Sequence, residues 1–131
     1  MTVPFVCVFI AFLMIYLAKI PVGIAMNRLP GGYDNHLPRD QQAQLTGWGK
    51  RAMGVHQNSF EAFAPFAAAV LVAHVGGANP RTSAYLAVGF ILARLVYAAL
   101  YLADLASLRS SVWFVGIICT GALFVLPCFK S

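Results

Sequence analysis

The sequence carries very little charge for its length. Only 10% of its 131 residues are Asp, Glu, Lys or Arg, and only four residues are acidic. Because roughly a quarter of a soluble domain is charged, this chain has too little polar surface to cover a water-soluble globule. The hydrophobic share of 60% instead predicts one integral membrane domain that covers residues 1–131.

Several other features are also missing. The three cysteines, Cys7, Cys119 and Cys128, have no CxxC spacing, which argues against a metal site or a disulfide framework and favours packing roles. None of the apolar runs alternates with the period of two that a membrane β-barrel requires. The N-terminus lacks a basic region and a small-residue cleavage site, so we expect a retained first helix rather than a signal peptide.

Four apolar runs are long enough to cross a bilayer, for which about 20 residues of helix are needed. We expect helices at about residues 3–26, 52–75, 81–104 and 110–129. Residues 27–50 are polar and rich in Pro, Gly, Asn and Asp, which predicts a long loop. The expected fold class is therefore an all-α membrane protein with a bundle of four transmembrane helices.

Positive charge is distributed unevenly between the two ends of this expected bundle. The end with the long loop carries five cationic residues: Arg28, Arg39, Lys50, Arg51 and Arg109. The opposite end carries two: Arg81 and Lys130. The positive-inside rule therefore predicts a cytoplasmic loop, with both termini on the opposite side. This signal, together with anionic lipid head groups, accounts for the net charge of +5 without a nucleic-acid partner.

Polar side chains inside the expected spans carry the functional information, because a charge at the bilayer centre costs about 2.5–3.5 kcal/mol. At helical spacing, one side of the second span presents Gly54, Asn58, Glu61 and Pro65. The third span presents a second polar stripe, formed by Arg94, Tyr97, Tyr101 and Asp104. The fourth span opens with Arg109, Ser110 and Ser111, followed one turn later by Trp113.

Two interpretations of these stripes are compatible with the residues. Glu61 and Arg94 could pair, and the other groups could simply hold the helices together, although interhelical polar contacts contribute only about 0.6 kcal/mol on average. Alternatively, the stripes could line a polar pocket at the level of Arg51 and Arg109. Guanidinium groups there would attract a small anion with carboxylates.

Three segments resemble a known family of membrane proteins. RAMGVHQNSFE (51–61), followed by APFAAAVLV, is similar to the second-helix signature of the membrane-associated proteins in eicosanoid and glutathione metabolism (the MAPEG family). ANPR and ARLVYAALYLADLASLRSSVW (93–113) resemble the next turn, the third helix and the start of the fourth. The resemblance suggests a bacterial-type member, and it implies a homotrimer that binds glutathione between subunits and acts on lipophilic electrophiles.

The resemblance also implies a role for each matching residue. The positions that would bind glutathione as co-substrate are Arg28, Asn58, Glu61, Arg94, Tyr97, Tyr101 and Trp113. Arg28 would act from the adjoining subunit. Arg109 and Ser110 would be catalytic, because a cation and a hydroxyl donor beside the sulfur favour the thiolate nucleophile. The implied function is a glutathione-dependent transferase or peroxidase.

The chain departs from the family pattern at three positions. Gly54 and Gln57 stand where glutathione-using members commonly have Arg, and Trp113 stands in place of a tyrosine. Each missing guanidinium removes a charge-assisted contact of roughly 1.5–3 kcal/mol. These differences motivate an alternative function, a non-enzymatic trimeric membrane protein of the same fold that binds a lipid or another anion. His56 is expected to cap or bridge the polar loop rather than to act in catalysis.

Overall fold

The computed structural model describes residues 1–129 and builds them almost entirely from helix. Lys130, which contributed to the predicted charge asymmetry, lies outside the described residues. The helices are α1 (Val3–Leu17), α2 (Lys19–Asn27), α3 (Pro38–Ala43), α4 (Gly47–Val75), α5 (Pro80–Leu102) and α6 (Ala106–Val125), and a 3₁₀ turn (Leu126–Phe129) follows α6.

Four helical segments of the described chain are long and apolar enough to cross a membrane. The first combines α1 and α2 over Val3–Asn27, the second and third are α4 and α5, and the fourth is α6 with its 3₁₀ turn. Their lengths are 25, 29, 23 and 24 residues, against the roughly 20 residues that a bilayer requires. The predicted fold class of four membrane helices is confirmed.

The first span is divided into two helices, which the sequence prediction of one helix over 3–26 did not include. The division falls at Ala18. Pro21 lacks the N–H that would bond to the Leu17 carbonyl, and its ring also crowds that carbonyl, so the helix is interrupted. Three residues before this break, the carbonyl oxygen of Ile15 lies 2.9 Å from Nδ1 of His56, a side chain of α4.

Helix α4 begins at Gly47 instead of at about residue 52, so the predicted start was wrong. Lys50, Arg51 and Met53 are good helix formers, and they extend the helix beyond its apolar part. The polar residues of 51–61 lie inside the helix, as expected, and about one further turn precedes them. The predicted loop over 27–50 is correspondingly shorter and contains the short helix α3.

Asp104 does not belong to the polar stripe of α5, as the sequence had predicted. The helix ends at Leu102, and Asp104 follows with a left-handed φ of 62°. The Leu105 N–H donates to the Leu100 carbonyl at 3.0 Å, and the Asp104 N–H donates to the Tyr101 carbonyl at 3.1 Å. This Schellman turn ends the helix, and Asp is one of the few residues besides Gly that tolerates its left-handed position.

Helix α4 lies at the centre of the protomer and contacts α1, α2, α5 and α6. In the main core, the buried rings of Phe66 and Phe90 stack with a centroid separation of 3.8 Å. A second apolar cluster lies at the loop end and includes Met26 and Ala52. Cys7 packs in the main core as expected, whereas Cys128 is exposed, so the packing role predicted for it is not formed within one protomer.

Candidate functional site

Arg51 joins the start of α4 to the end of α5. Its Nε donates to the Leu102 carbonyl at 3.3 Å, and its guanidinium lies 3.9 Å from the Asp104 carboxylate. A cation is favourable at a helix C-terminus, where unpaired carbonyls carry partial negative charge. This contact brings the predicted long loop and the α5–α6 turn to the same end of the bundle, and it gives Arg51 a structural role.

Glu61 presents an oriented carboxylate near the middle of the 29-residue helix α4. Its two oxygens accept from neutral amides, Oε1 from Gln57 at 3.3 Å and Oε2 from Asn58 at 3.2 Å. Glu61 and Gln57 are exposed on the surface of the single protomer. Among residues 1–129, no cationic side chain forms a salt bridge with Glu61, so its charge is free to meet a ligand or another chain.

Two further acceptors near Glu61 lack their usual donors. Pro65 lies inside α4 and has no N–H to donate to the Glu61 carbonyl. The Oδ1 of Asn58 is buried and has no hydrogen-bond partner within the described part of the chain. An unsatisfied buried acceptor lowers the stability of the protein by about 1–3 kcal/mol. A hydrogen-bond donor that reached the Asn58 oxygen would therefore bind favourably.

Two neighbouring tyrosines of α5 are flanked by two arginines, one from α5 and one from α6, in a continuous stack. The guanidinium of Arg94 lies 4.3 Å from the Tyr97 ring centroid, and that of Arg109, from α6, lies 4.2 Å from the Tyr101 ring centroid. The two tyrosine rings meet edge to face at 5.7 Å. We call these four residues the Arg–Tyr stack. Cation–π contacts of this kind contribute about 0.5–2 kcal/mol each.

The stack takes Arg94 away from the direct pair with Glu61 that one interpretation of the sequence included. Arg94 is only 6% exposed, and its guanidinium lies over Tyr97 rather than in a salt bridge with Glu61. The direct Glu61–Arg94 pair is therefore absent from residues 1–129.

The single polar pocket that the stripes suggested is divided into two recesses within one protomer. The larger recess has a volume of about 840 Å³ and lies between α4 and the α3 region. Its polar and charged side chains are Arg39, Lys50, His56, Gln57, Glu61 and Tyr101. The smaller recess, of about 320 Å³, is lined by Tyr97, Arg109, Ser110, Trp113 and Phe114. Tyr101 borders the larger recess and stacks on Arg109 of the smaller one, so it connects the two.

Three of the predicted residues lie outside both recesses. Arg28 is exposed at the C-terminal cap of α2, Arg94 is buried, and Asn58 reaches the larger recess only through its bond to Glu61. Trp113 borders the smaller recess with 37% exposure and packs edge to face on Phe114. One protomer thus brings together most of the predicted set, but not Arg28.

Sequence reasoning missed two cations and one amide of the larger recess. Arg39 and Lys50 had been interpreted only as topology signals, yet they line the same recess as Glu61. Gln57 had been interpreted as a lost arginine, yet it donates to Glu61. The spacing of Gln57 four residues before Glu61 is the signal that could have revealed this bond.

Gly54 has a steric role that its position on the stripe did not reveal. The hydroxyl of Tyr101 packs directly against Gly54, and a Cβ at this position would overlap with that hydroxyl. Glycine therefore allows the Tyr101 side chain to cross the face of α4. Any larger residue would have to displace the Arg–Tyr stack at its Tyr101 end.

Comparison with known proteins identifies the family to which this architecture belongs. No curated protein and no solved structure gives a significant match to the chain. The family model of the MAPEG family, by contrast, matches residues 3–129. This match includes all four membrane helices and both recesses. The chain therefore belongs to the MAPEG family.

Proposed function

We propose that this protein is a glutathione-dependent membrane transferase or peroxidase that acts on lipophilic electrophiles. The observation that carries the proposal is the carboxylate of Glu61, which is held by two amides beside a recess and has no cationic partner among residues 1–129. The Arg–Tyr stack connects this recess to Arg109 and Ser110. Membership of the MAPEG family, which includes glutathione transferases, supports the same assignment.

The larger recess has the charges that glutathione requires. Glu61 complements the ammonium group, and Arg39 and Lys50 complement the two carboxylates. The recess volume of about 840 Å³ falls within the range of roughly 300–1,000 Å³ for small-molecule sites. The residues present therefore fit the proposed co-substrate.

The smaller recess has the groups that a thiolate requires. The Arg109 guanidinium and the Ser110 hydroxyl both border it, and such groups stabilise a thiolate and so favour the nucleophilic form of the sulfur. Trp113 and Phe114 form an apolar wall next to them. Conjugation would form a bond between sulfur and the electrophilic carbon while the leaving group departs, and the apolar wall would hold the electrophile.

We also propose a homotrimer, in which a neighbouring subunit covers the face that bears Glu61. Glu61, Gln57 and Phe60 are exposed on the membrane-spanning helix α4, and a charge that faces lipid costs about 2.5–3.5 kcal/mol. An exposed Arg28 from the adjoining subunit would complete the site. Native mass spectrometry in mild detergent tests this assembly, and a purely monomeric spectrum would contradict it.

The orientation in the membrane belongs to the same proposal. The end with α3, Arg39 and Lys50 would lie in the cytoplasm, with the termini on the opposite side. Labelling of single cysteines introduced in the α3 region, from either side of sealed vesicles, tests this orientation. The bacterial type suggested by the sequence stays a prediction.

A non-enzymatic trimer that binds a lipid or another anion is the second candidate. It is favoured by Gly54 and Gln57, which stand where glutathione-using members commonly carry arginine. In the structure, the Tyr101 hydroxyl fills the space beside Gly54, and the Gln57 amide already bonds to Glu61. If these contacts block the binding of glutathione, the recess would serve another anion.

Titration calorimetry with glutathione, combined with an activity assay, separates the two candidates. We expect binding that weakens about ten- to hundred-fold in Glu61→Gln, because a charge-assisted bond of about 1.5–3 kcal/mol is lost. Turnover of a chlorinated aromatic electrophile or a lipid hydroperoxide should fall in Arg109→Ala and Ser110→Ala. Absence of glutathione binding by the wild type would favour the second candidate.

Ser111→Ala is the matched control for Ser110→Ala. Ser111 is exposed in the same turn, but its hydroxyl donates to the Ser107 carbonyl of its own helix at 3.1 Å. It borders neither recess. Equal loss of turnover in Ser110→Ala and Ser111→Ala would remove the catalytic role of Ser110.

A further inference from the structure

We propose that the protein has a second binding site, for an anionic phospholipid, at the end of the bundle opposite to the two recesses. A cavity of about 590 Å³ lies there between the N-terminal residues and the α4–α5 turn. It shares no lining residue with either recess. It is therefore a separate cavity, and its occupant would be independent of the proposed function.

The cavity combines an apolar wall with polar groups on one side. Phe5, Val70 and Ala84 contribute to the wall, and the Phe5 ring meets the His74 ring edge to face at 4.9 Å. The polar groups are His74, Arg81 and Ser83. An occupant must therefore have a long apolar part directly next to a group that accepts hydrogen bonds, which describes an amphiphile.

Ser83 indicates where the polar part of this occupant would bind. The residue is only 6% exposed and lines the cavity. Its backbone N–H donates to the Asn79 carbonyl, whereas its hydroxyl makes no hydrogen bond to any group of residues 1–129. The hydroxyl oxygen itself is not fully buried, so an acceptor on an occupant of the cavity that Ser83 lines would bond to it.

Arg81 provides the charge. Its side chain is exposed at the start of α5, and it forms no salt bridge within the described residues. The first amides of α5 are already used, because Asn79 Oδ1 accepts from the N–H groups of Arg81 and Thr82 at 3.0 and 3.1 Å. The anion would therefore be held by side chains, with a favourable contribution from the positive end of the helix dipole.

The position of the cavity favours a membrane lipid over a soluble anion. The cavity lies at the ends of three membrane-crossing segments, the first, second and third, where head groups meet acyl chains. Cationic residues at this level attract anionic head groups. A soluble phosphate would use Arg81 and Ser83 but would leave the apolar wall uncovered, whereas a phospholipid covers both.

Native mass spectrometry of the full-length protein tests this inference. Protein in mild detergent is mixed with phosphatidylglycerol or with phosphatidylcholine, and the lipid-bound fractions of wild type and variants are compared. We expect Arg81→Ala to weaken phosphatidylglycerol binding about five-fold and to leave phosphatidylcholine binding unchanged. Ala84→Leu, which fills the cavity, should weaken the binding of both lipids.

Lys19→Ala is the matched control, because it removes one cation of α2 that lines neither of the two recesses nor the cavity. It should retain the wild-type preference for phosphatidylglycerol. Circular dichroism spectra that match wild type would show that each variant is folded.

Three results would overturn the proposal. The first is equal phosphatidylglycerol binding by wild type and Arg81→Ala. The second is displacement of phosphatidylglycerol by excess inorganic phosphate, which would identify a site for a soluble anion. The third is an Ala84→Leu variant that changes the number of subunits and leaves lipid binding intact, because a second copy would then occupy the cavity.

Discussion

The guanidinium of Arg109 lies 4.2 Å from the centroid of the Tyr101 ring, and this contact links the two recesses of the protomer. Tyr101 borders the recess that contains Glu61, and Arg109 borders the recess that contains Ser110. The Tyr101 ring is therefore the structural element that the two recesses have in common. Four predictions concern this contact and the residues around it.

Replacement of Tyr101 by Leu should separate Arg109 from its aromatic support. A cation–π contact of about 0.5–2 kcal/mol is lost, so kcat/KM with glutathione should fall roughly two- to thirty-fold. Tyr101→Phe retains the ring and should preserve most of the activity. Steady-state kinetics in detergent measures both variants, and equal activity of Tyr101→Leu and wild type would argue against a functional stack.

Replacement of Gly54 by Ala should destabilise the protein, because the new Cβ would overlap with the Tyr101 hydroxyl. Overpacking of this kind costs about 1–3 kcal/mol, which thermal unfolding in detergent can detect. Gly121→Ala is the control, because Gly121 lies in α6 with no neighbouring atom within 4 Å of an added Cβ. There, alanine should be neutral or slightly stabilising, as expected for a helix interior. A stable Gly54→Ala protein would show that Tyr101 moves easily.

Arg51 and Asp104 should contribute unequally to stability, although they face each other at 3.9 Å. Arg51→Ala removes the bond to the Leu102 carbonyl and the cation at the helix end, at a cost of about 1–2 kcal/mol. Asp104→Gly loses only an exposed ion pair, and glycine suits the left-handed φ of 62°. Chemical denaturation of the two variants should rank Arg51→Ala as the less stable, and the reverse order would assign the main role to the ion pair.

His56 should be required for helix packing rather than for chemistry. Because a carbonyl can only accept, the Nδ1 of His56 donates to Ile15 at the break in the first span. His56→Phe keeps a ring against Phe60 but leaves the carbonyl unpaired, so the free energy of unfolding should fall by about 1–3 kcal/mol.

Hydrogen exchange around residues 15–19 of the His56→Phe variant should increase at the same time. The activity of the folded fraction should remain close to wild type. A stable variant without activity would place His56 in the chemistry instead.

The class of the protein and the composition of its site could be predicted from the sequence. A hydrophobic run of sufficient length specifies a membrane helix regardless of the helices that it packs against. Each apolar side chain contributes its own favourable free energy of transfer into the bilayer. The spacing of Arg94, Tyr97 and Tyr101 likewise determines a common face of α5, since helical periodicity is local. The MAPEG resemblance rested on such local signals, and the family match confirms it.

Only the tertiary structure shows which polar side chains contact each other. Glu61 and Arg94 could have paired according to their positions in the sequence. In the packed helices, however, each has partners on its own helix: Arg94 lies over the Tyr97 ring of α5, and Glu61 accepts from Gln57 and Asn58 of α4. The position of α6 likewise places Arg109 against Tyr101 and divides one expected pocket into two. Helix rotations and crossing positions depend on how the side chains of all the helices pack together, and no single segment contains that information.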